Sequence, residues 1–229
     1  MPKATDYQHF CVVARSLELI GEKWSLLIVR DLLRGPQRFS DLQRYMGNIT
    51  PKWLTQRLRD LEAAGIVERD SEPGRREVWY RLTAKGHDLA PVIRSLVVWG
   101  IDHASRPPLP GEAVFPEQAM SALAVYMNEK GTRARLPVAW RFHFEDRVLL
   151  LMSRGGRWRL TDDDPAIGST LDVTVETRAW LEFLAGGERG FSSLPVTLEG
   201  ARDQQAEFKR IFGRGRLRET PRASAAATA

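Results

Sequence analysis

The stretch of sequence that decides the fold is residues 34–82, RGPQRFSDLQRYMGNITPKWLTQRLRDLEAAGIVERDSEPGRREVWYRL. Two short segments with helical spacing of apolar residues meet at Gly47-Asn48, and two strand-like segments, 66–70 and 77–82, follow them. The turn between the strands carries Arg75 and Arg76. Helix, turn, helix and a basic hairpin, in this order, predict a winged helix-turn-helix domain.

The second of these helices is expected to begin at Thr50-Pro51 and to end at Gly65. Threonine supplies a capping oxygen, proline suits the first helical position, and glycine is common just after the last turn. Leu54, Leu58 and Leu61 recur at helical spacing and therefore share one face. If these leucines face the core, the opposite face of the helix is turned outward.

Lys52, Thr55, Gln56 and Arg59 lie on that opposite face, near the end of the helix that reaches the bases in a major groove. A glutamine amide bonds adenine bidentately, lysine and arginine bind guanine or phosphate, and threonine contacts a thymine methyl or a phosphate. These four residues are therefore the predicted base-reading set. Trp53 lies beside this face, and we expect it to pack under the neighbouring helix.

Four further residues are predicted to contact the DNA backbone. Arg38 and Ser40 open the preceding helix, where free backbone N–H groups favour a phosphate, and Ser40 is expected to cap that helix. Arg75 and Arg76 at the hairpin tip suit phosphates or the minor groove. Each feature taken alone is usually just a solvated surface, so the order and spacing of the elements are what favour DNA binding.

The 229 residues carry a formal net charge of +5, most of it in residues 1–106, which hold 17 Lys and Arg against 13 Asp and Glu. A basic excess permits a polyanionic partner.

Hydrophobic residues make up 43% of the chain, enough for sizeable cores. The sequence has no signal-peptide pattern and no apolar stretch of about 18 residues, so we expect a cytoplasmic protein without membrane contact.

Arg106-Pro107-Pro108-Leu109-Pro110-Gly111 divides the sequence, because three prolines in four positions cannot continue a helix. The predicted organisation is a winged-helix DNA-binding and dimerisation domain (1–106), a proline-rich linker (107–112), an α+β domain (113–213) and a disordered tail (214–229). The fold class is therefore α+β. Within the first domain, Thr83 is expected to cap one long helix that runs to about His103.

In the second half, apolar and polar residues alternate in 140–145, 157–160 and 171–175, and 148–152 is apolar on both faces, which predicts strands with a last one at 195–198. Helices are expected at 116–130, 178–185 and 201–212. A mostly antiparallel sheet with helices on one face follows. The segment 171–212 resembles the sterol-carrier-protein-like fold in pattern, and that fold often encloses an apolar tunnel. Its lining would be Trp140, Phe142, Trp158, Trp180, Phe183, Phe208 and Phe212. The same rings would equally fill a core, so a ligand pocket and a core both stay open.

Residues from Cys11 to about Ala104 resemble the HxlR family of winged-helix regulators. The matching segments are Ile20-Gly21-Glu22-Lys23-Trp24, Leu32-Leu33-Arg34-Gly35, Arg38-Phe39-Ser40-Asp41-Leu42, residues 49–62 (ITPKWLTQRLRDLE), Gly65-Ile66-Val67 and residues 80–86 (YRLTAKG). The resemblance implies a homodimeric bacterial transcription regulator whose first and last helices in this half form the dimer contact. The sequence departs from the family pattern at Val12, Glu22 and Trp53, where proline, glycine and methionine are common.

Dimerisation also has a basis in the residues of the predicted long helix. Its apolar positions are Leu89, Val92, Ile93, Leu96, Val97, Trp99 and Gly100. This is more apolar surface than one side of a small domain covers, and an exposed apolar stripe marks a partner surface. We therefore expect a homodimer, and a twofold dimer reads a near-palindromic operator in double-stranded DNA.

Cys11 is the only cysteine, so no intrachain disulfide forms. Some proteins of the resembled family use the equivalent cysteine as a redox sensor. A reactive thiol needs nearby cations, and His9 and Arg15 are the candidates close in sequence. Inert packing is the commoner role of a lone cysteine, so both alternatives stay open.

His9, His87, His103 and His143 lack metal-ligand spacing, and neither a nucleophilic serine elbow nor a phosphate loop occurs. We therefore expect no metal, no cofactor and no enzymatic activity, and Asp162-Asp163-Asp164-Pro165 fits a polar turn better than a cation site. The leading hypothesis is a regulator whose second domain senses an apolar small molecule or supports the dimer. The alternatives are a carrier of a hydrophobic ligand that uses the winged helix for dimerisation, and a regulator with a purely architectural second domain.

Overall fold

The structure is a computed structural model that describes residues 7–70, 78–186 and 191–213. The chain divides into two compact units, residues 1–95 and 96–229. The predicted disordered tail, 214–229, lies outside the described residues. No helix of the described ranges has the length and apolar character needed to cross a membrane.

The first unit has the architecture of a winged helix-turn-helix domain. Its helices are α1 (Val12–Ile20), α2 (Ser25–Leu32), α3 (Phe39–Tyr45), α4 (Pro51–Ala63), α5 (Ala84–His87) and α6 (Ala90–His103), the last of which continues past the division between the units. Its strands are β1 (Gln37–Arg38), β2 (Val67–Asp70) and β3 (Trp79–Leu82). They form an antiparallel sheet in the order β1-β3-β2, so the predicted hairpin gains a third, two-residue strand just before α3.

Helix α4 forms where its sequence signals predict it. The Thr50 side chain accepts a hydrogen bond from the backbone N–H of Trp53 at 3.4 Å, and Pro51 occupies the first helical position. Gly65 ends the helix with a φ of +67°, which glycine adopts without strain. The leucines of the inward face, Leu54, Leu58 and Leu61, are at most 1% exposed. This buried row anchors α4 to the core of the unit and fixes which side chains point outward.

The predicted cap of α3 is wrong. The helix begins at Phe39, so Ser40 lies at its second position and Arg38 is the residue before it. Arg38 has extended backbone dihedral angles because it is still part of β1, which pairs with β3. The short strand therefore decides where the helix begins.

The single long helix predicted after Thr83 is two helices. Thr83 does cap α5, since its hydroxyl oxygen accepts from the backbone N–H of Gly86 at 3.1 Å. The chain then breaks at Asp88-Leu89 before α6. Pro91 explains the break, because its ring has no N–H to donate to the carbonyl four residues earlier.

The second unit is a five-stranded sheet with helices. After the end of α6, its helices are α7 (Pro116–Glu129), α8 (Thr177–Leu184) and α9 (Arg202–Phe212). Its strands are β4 (Val138–His143), β5 (Val148–Arg154), β6 (Arg157–Asp162), β7 (Leu171–Val175) and β8 (Val196–Gly200). The order is β6-β5-β4-β7-β8, with β4 and β7 parallel and the other pairs antiparallel. The predicted α+β fold with a mostly antiparallel sheet is confirmed.

Helices α7, α8 and α9 pack on one face of this sheet over an aromatic core. The rings include all those of the predicted pocket, Trp140, Phe142, Trp158, Trp180, Phe183, Phe208 and Phe212, and none is more than 9% exposed. Phe208 lies 5.0 Å from Trp140 and 4.8 Å from Phe212 between ring centroids. Since these rings are in contact with one another, the arrangement favours a filled core over a lined cavity.

The proline-rich segment predicted as a linker lies in the second unit, after the division between the units. Hydrogen bonds hold it in place. Arg106 donates to a Glu112 carboxylate oxygen at 2.8 Å, and the same oxygen accepts from the backbone N–H of Leu109 at 2.7 Å. Arg178 of α8 donates to the carbonyl of Leu109 at 3.0 Å.

Candidate nucleic-acid interface

The outward face of α4 carries the four predicted base-reading residues. Lys52 and Arg59 are exposed, and Thr55 and Gln56 are half-buried. All four lie away from the buried leucine row. Helix α4 therefore presents a cationic and amide-bearing surface, the chemistry that a major groove accepts.

The hydroxyl of Thr55 has a partner within the helix. Its Oγ1 donates to the carbonyl oxygen of Pro51 at 2.8 Å, the bond that threonine often makes to the residue four positions earlier. Because the hydroxyl hydrogen is used, the side chain has no donor left for a phosphate. Of the two predicted contacts, the thymine methyl is the one this geometry favours.

Gln56 belongs to a polar network that the sequence analysis did not identify. Its Nε2 donates to Asp60 Oδ1 at 2.8 Å, and the other oxygen of Asp60 lies 3.2 Å from an Arg57 nitrogen. Arg57 is only 9% exposed and also lies 3.7 Å from Glu22. The three- and four-residue spacings within α4 were readable in the sequence. The approach of Glu22 was not, because it depends on how the chain before α2 folds onto α4.

Trp53 does not pack under a neighbouring helix as expected. Its side chain is 57% exposed. Successive residues of a helix are about 100° apart, so Trp53 lies outside the buried arc even though Leu54 lies within it. The expectation is therefore wrong, and a large aromatic side chain stands beside Lys52 and Gln56 on the surface of α4.

The predicted backbone contacts lie on two elements. Arg38 is exposed, and its guanidinium lies 4.7 Å from the ring centre of Trp79, its partner across the β1–β3 pair. Such cation–π contacts hold an arginine over an aromatic face. Ser40 is exposed in the first turn of α3. Arg75 and Arg76, which the sequence predicts at the hairpin tip, lie outside the described residues.

Charges along the hairpin are partly paired. Arg81 of β3 lies 3.0 Å from Glu68 of β2. Burial raises the pKa of Tyr80 on β3. The positive charges of Arg69 and Arg59 oppose this shift, and the negative charge of Glu62 adds to it. Tyr80 is therefore a neutral phenol at physiological pH.

Apolar surface marks two helices. No residue of α6 is buried, and its Val92, Leu96 and Trp99 are 41%, 47% and 60% exposed, respectively, on one helical face. Helix α1 also exposes apolar side chains, among them Val12 and Val13. Cys11, which precedes α1, is half-buried, and its redox role stays a prediction.

The second unit contains a groove that is separate from its aromatic core. Its volume is about 200 Å³, and it is lined by Ile101, Ser105, Arg106, Pro108, Ala119, Ala122, Leu123, Leu181, Leu184 and Ala185. None of the seven predicted pocket residues lines it.

In the part of the chain that the structure describes, no cluster of histidine, cysteine and acidic side chains could hold a metal ion. Asp164 accepts from the backbone N–H of Ala166 at 2.9 Å, the bond expected of the predicted polar turn.

Comparison with known proteins places the first unit among regulators. Residues 19–107 match the family described as HxlR-like helix-turn-helix. The chain is 41% identical over 97 residues to the uncharacterized HTH-type transcriptional regulator YtcD of Bacillus subtilis, covering 41% of this chain and 75% of that protein. It is 42% identical over 106 residues to the uncharacterized HTH-type transcriptional regulator YkvN of the same organism, covering 44% and 88%. Among solved structures, the reduced form of the transcriptional regulator YodB from B. subtilis is 33% identical, covers 45% of this chain and all of that one, and gives a TM-score of 0.37.

Proposed function

Because the chain belongs to the HxlR-like helix-turn-helix family, we propose that it acts as a homodimer that reads a near-palindromic operator with helix α4. Its relatives are regulators with helix-turn-helix domains, so the chain is a DNA-binding transcriptional regulator and not an enzyme. The observation that carries the proposal is the outward face of α4. It exposes cationic and amide side chains while three leucines on the other side fix the helix in the core.

In the proposed complex α4 lies in the major groove. Gln56 bonds an adenine, Lys52 and Arg59 bind guanine or phosphate, and Thr55 contacts a thymine methyl. The backbone contacts come from Arg38 and Ser40 at the start of α3 and from Arg75 and Arg76, which the sequence predicts at the hairpin tip. The base contacts specify the sequence, and the backbone contacts fix the position of the protein on the duplex.

The dimer is proposed to form through the apolar stripe of α6 together with α1. A 14-residue helix that buries no side chain within its own chain would leave this surface in water. A second copy removes it from water, and a twofold axis places two recognition helices on successive half-sites.

For the second unit we propose a sterol-carrier-protein-like fold that senses an apolar small molecule or supports the dimer. The supporting features are the five-stranded sheet with helices on one face and the mostly apolar groove, which includes residues at the end of α6. A ligand in this groove would act by favouring one conformation of the regulator over another.

Binding of the purified protein to its own upstream DNA, followed by footprinting and by fluorescence anisotropy, tests the regulator. We expect a sequence-specific footprint and an affinity that falls steeply with salt. Gln56→Ala and Arg59→Ala should each cost about 1–3 kcal/mol of specific binding. Arg157→Ala, which removes an exposed arginine of the second unit, is the matched control and should bind normally. A protein that shows neither sequence preference nor salt dependence, yet transfers lipid between vesicles, would be the carrier instead.

Light scattering tests the dimer. Leu96→Glu places a charge in the apolar stripe and should give a monomer with much weaker operator binding. Arg94→Glu adds the same carboxylate about 200° away around α6 and should stay dimeric. Wild-type protein that is monomeric at micromolar concentration would contradict the proposal.

A further inference from the structure

Asp60 fixes the orientation of the Gln56 amide. The two residues are four positions apart on α4, and Gln56 Nε2 donates to Asp60 Oδ1 at 2.8 Å. A carboxylate only accepts hydrogen bonds, so the amide must turn its nitrogen and not its oxygen toward Asp60. The terminal torsion of a free glutamine is broad and lets the two atoms exchange places.

Asp60 is itself held by the rest of the network. Its second oxygen, Oδ2, lies 3.2 Å from Nη1 of Arg57, so the two oxygens of the carboxylate have different partners. The Arg57 side chain is nearly buried, and its other terminal nitrogen lies 3.7 Å from Glu22. Because the nearly buried Arg57 guanidinium lies between the carboxylates of Glu22 and Asp60, it anchors Asp60 at a fixed place on α4.

This arrangement matches the edge of adenine. In the major groove adenine offers N7 as an acceptor and its N6 amino group as a donor. A glutamine amide meets this pattern with Oε1 and one hydrogen of Nε2, and its second Nε2 hydrogen is left over. The bond to Asp60 takes that second hydrogen, so the network and the base do not compete.

We propose that Asp60 is a positioning residue that presents Gln56 to an adenine of the operator, with Arg57 and Glu22 holding Asp60 in place. The proposal rests on the proposed function, because it requires α4 to lie in the major groove. A merely structural pair would change stability or weaken binding to every sequence alike. A positioning residue changes which base is preferred.

The test uses the full chain and operator duplexes in which adenines are replaced one at a time by 7-deazaadenine, which lacks the N7 acceptor. Wild-type protein should lose roughly 5- to 150-fold in affinity at one adenine of each half-site. Asp60→Ala should bind the natural operator more weakly and lose most of this penalty. Asp60→Glu, whose carboxylate still offers one oxygen to each of the two donors, should keep it. Glu62→Ala removes a carboxylate from another side of α4 and is the matched control.

Thermal unfolding of each variant checks that it is folded. If Asp60→Ala is not folded, Asp60→Ser replaces it, because the serine side chain is also too short to reach Gln56. A wild-type 7-deazaadenine penalty that survives in Asp60→Ala or Asp60→Ser overturns the inference while leaving the operator-binding function intact. So does specific operator binding by wild type with no penalty at any adenine. If wild type binds no operator at all, the proposed function itself fails.

Discussion

Helix α4 and the aromatic core of the second unit use their side chains in opposite ways. Helix α4 buries one row of leucines and leaves most of its circumference to solvent, whereas the seven aromatic rings of the second unit have almost no surface left. Lys52 and Arg59 of α4 are exposed, whereas Glu207 of α9 is 5% exposed. The first region is therefore built to recognise a partner and the second to stabilise a fold.

The largest expected effect is on the aromatic core. Phe208→Ala removes a fully buried ring that contacts Trp140 and Phe212, and we expect a loss of about 3–5 kcal/mol in the free energy of unfolding. Denaturant titration followed by tryptophan fluorescence measures it. Trp53→Ala, an aromatic truncation at the surface, is the control and should change stability little. A cost below about 1 kcal/mol for Phe208→Ala would mean that the rings line a cavity and do not fill a core.

A smaller effect is expected at a buried carboxylate. Glu207 accepts from the backbone N–H of Arg135 at 2.6 Å and from Arg210 at 2.7 Å, and the bond from Arg210 lowers the pKa of Glu207 below its usual 4.5. Glu207→Gln should cost roughly 1.5–3 kcal/mol of stability at neutral pH, because bonds to a charged group are lost.

The pH dependence checks the cause of that loss. A carboxyl whose pKa is lower in the folded state stabilises the protein above its unfolded pKa, and this contribution is lost as the pH falls through the folded value. The difference in unfolding free energy between wild type and Glu207→Gln should therefore be constant from pH 5 to 8, and it should shrink below about 4.5. A gap that stays constant in acid would contradict this account, and operator binding at neutral pH should be the same for both proteins.

A smaller effect is expected at Trp79, which lies beside the recognition surface. Trp79 supports the guanidinium of Arg38 at 4.7 Å, so Trp79→Leu should weaken operator binding by about 0.5–1 kcal/mol, whereas Trp79→Phe keeps an aromatic face. Arg38→Ala should cost more and lower the salt dependence of binding by about one phosphate contact. Adding Trp79→Leu to Arg38→Ala should then have no further effect. Additive losses in the double variant would show that Trp79 acts independently of Arg38.

The smallest effect concerns Trp53, which we expect to touch a thymine methyl or a deoxyribose. Burying one methyl group is worth about 0.8 kcal/mol at most, and a side chain at the edge of the contact face should gain roughly half of that. When operator thymines are replaced by deoxyuridine one at a time, both proteins should lose affinity at the thymine that Thr55 contacts. At one further position wild type should be weakened and Trp53→Ala should be unaffected. Equal losses for both proteins at every position would assign Trp53 no base contact.

The residues of α4 were predictable because each of its signals is local. Thr50 and Pro51 mark its start, and the spacing of its leucines identifies its buried face. The pairing of Arg38 with Trp79 was not predictable, since a two-residue strand has no periodicity and its partner lies about forty positions away. The role of the aromatic rings was also undecided, because a lined tunnel and a filled core require the same residues at the same spacing. Only their mutual distances distinguish the two.

The parallel pairing of β4 with β7 has a consequence for biosynthesis. Trp140 is paired with Leu171, so one edge of the central strand stays open on the ribosome while all of β5, β6 and the following loop are translated. The first unit needs no residue beyond those already made and is free to fold in the meantime. A nascent chain stalled before β7 would expose an unpaired apolar strand, the kind of edge that aggregates or recruits chaperones. We therefore expect chains truncated near residue 165 to be insoluble, and chains that end shortly after α6 to stay soluble, because they contain the whole core of the first unit.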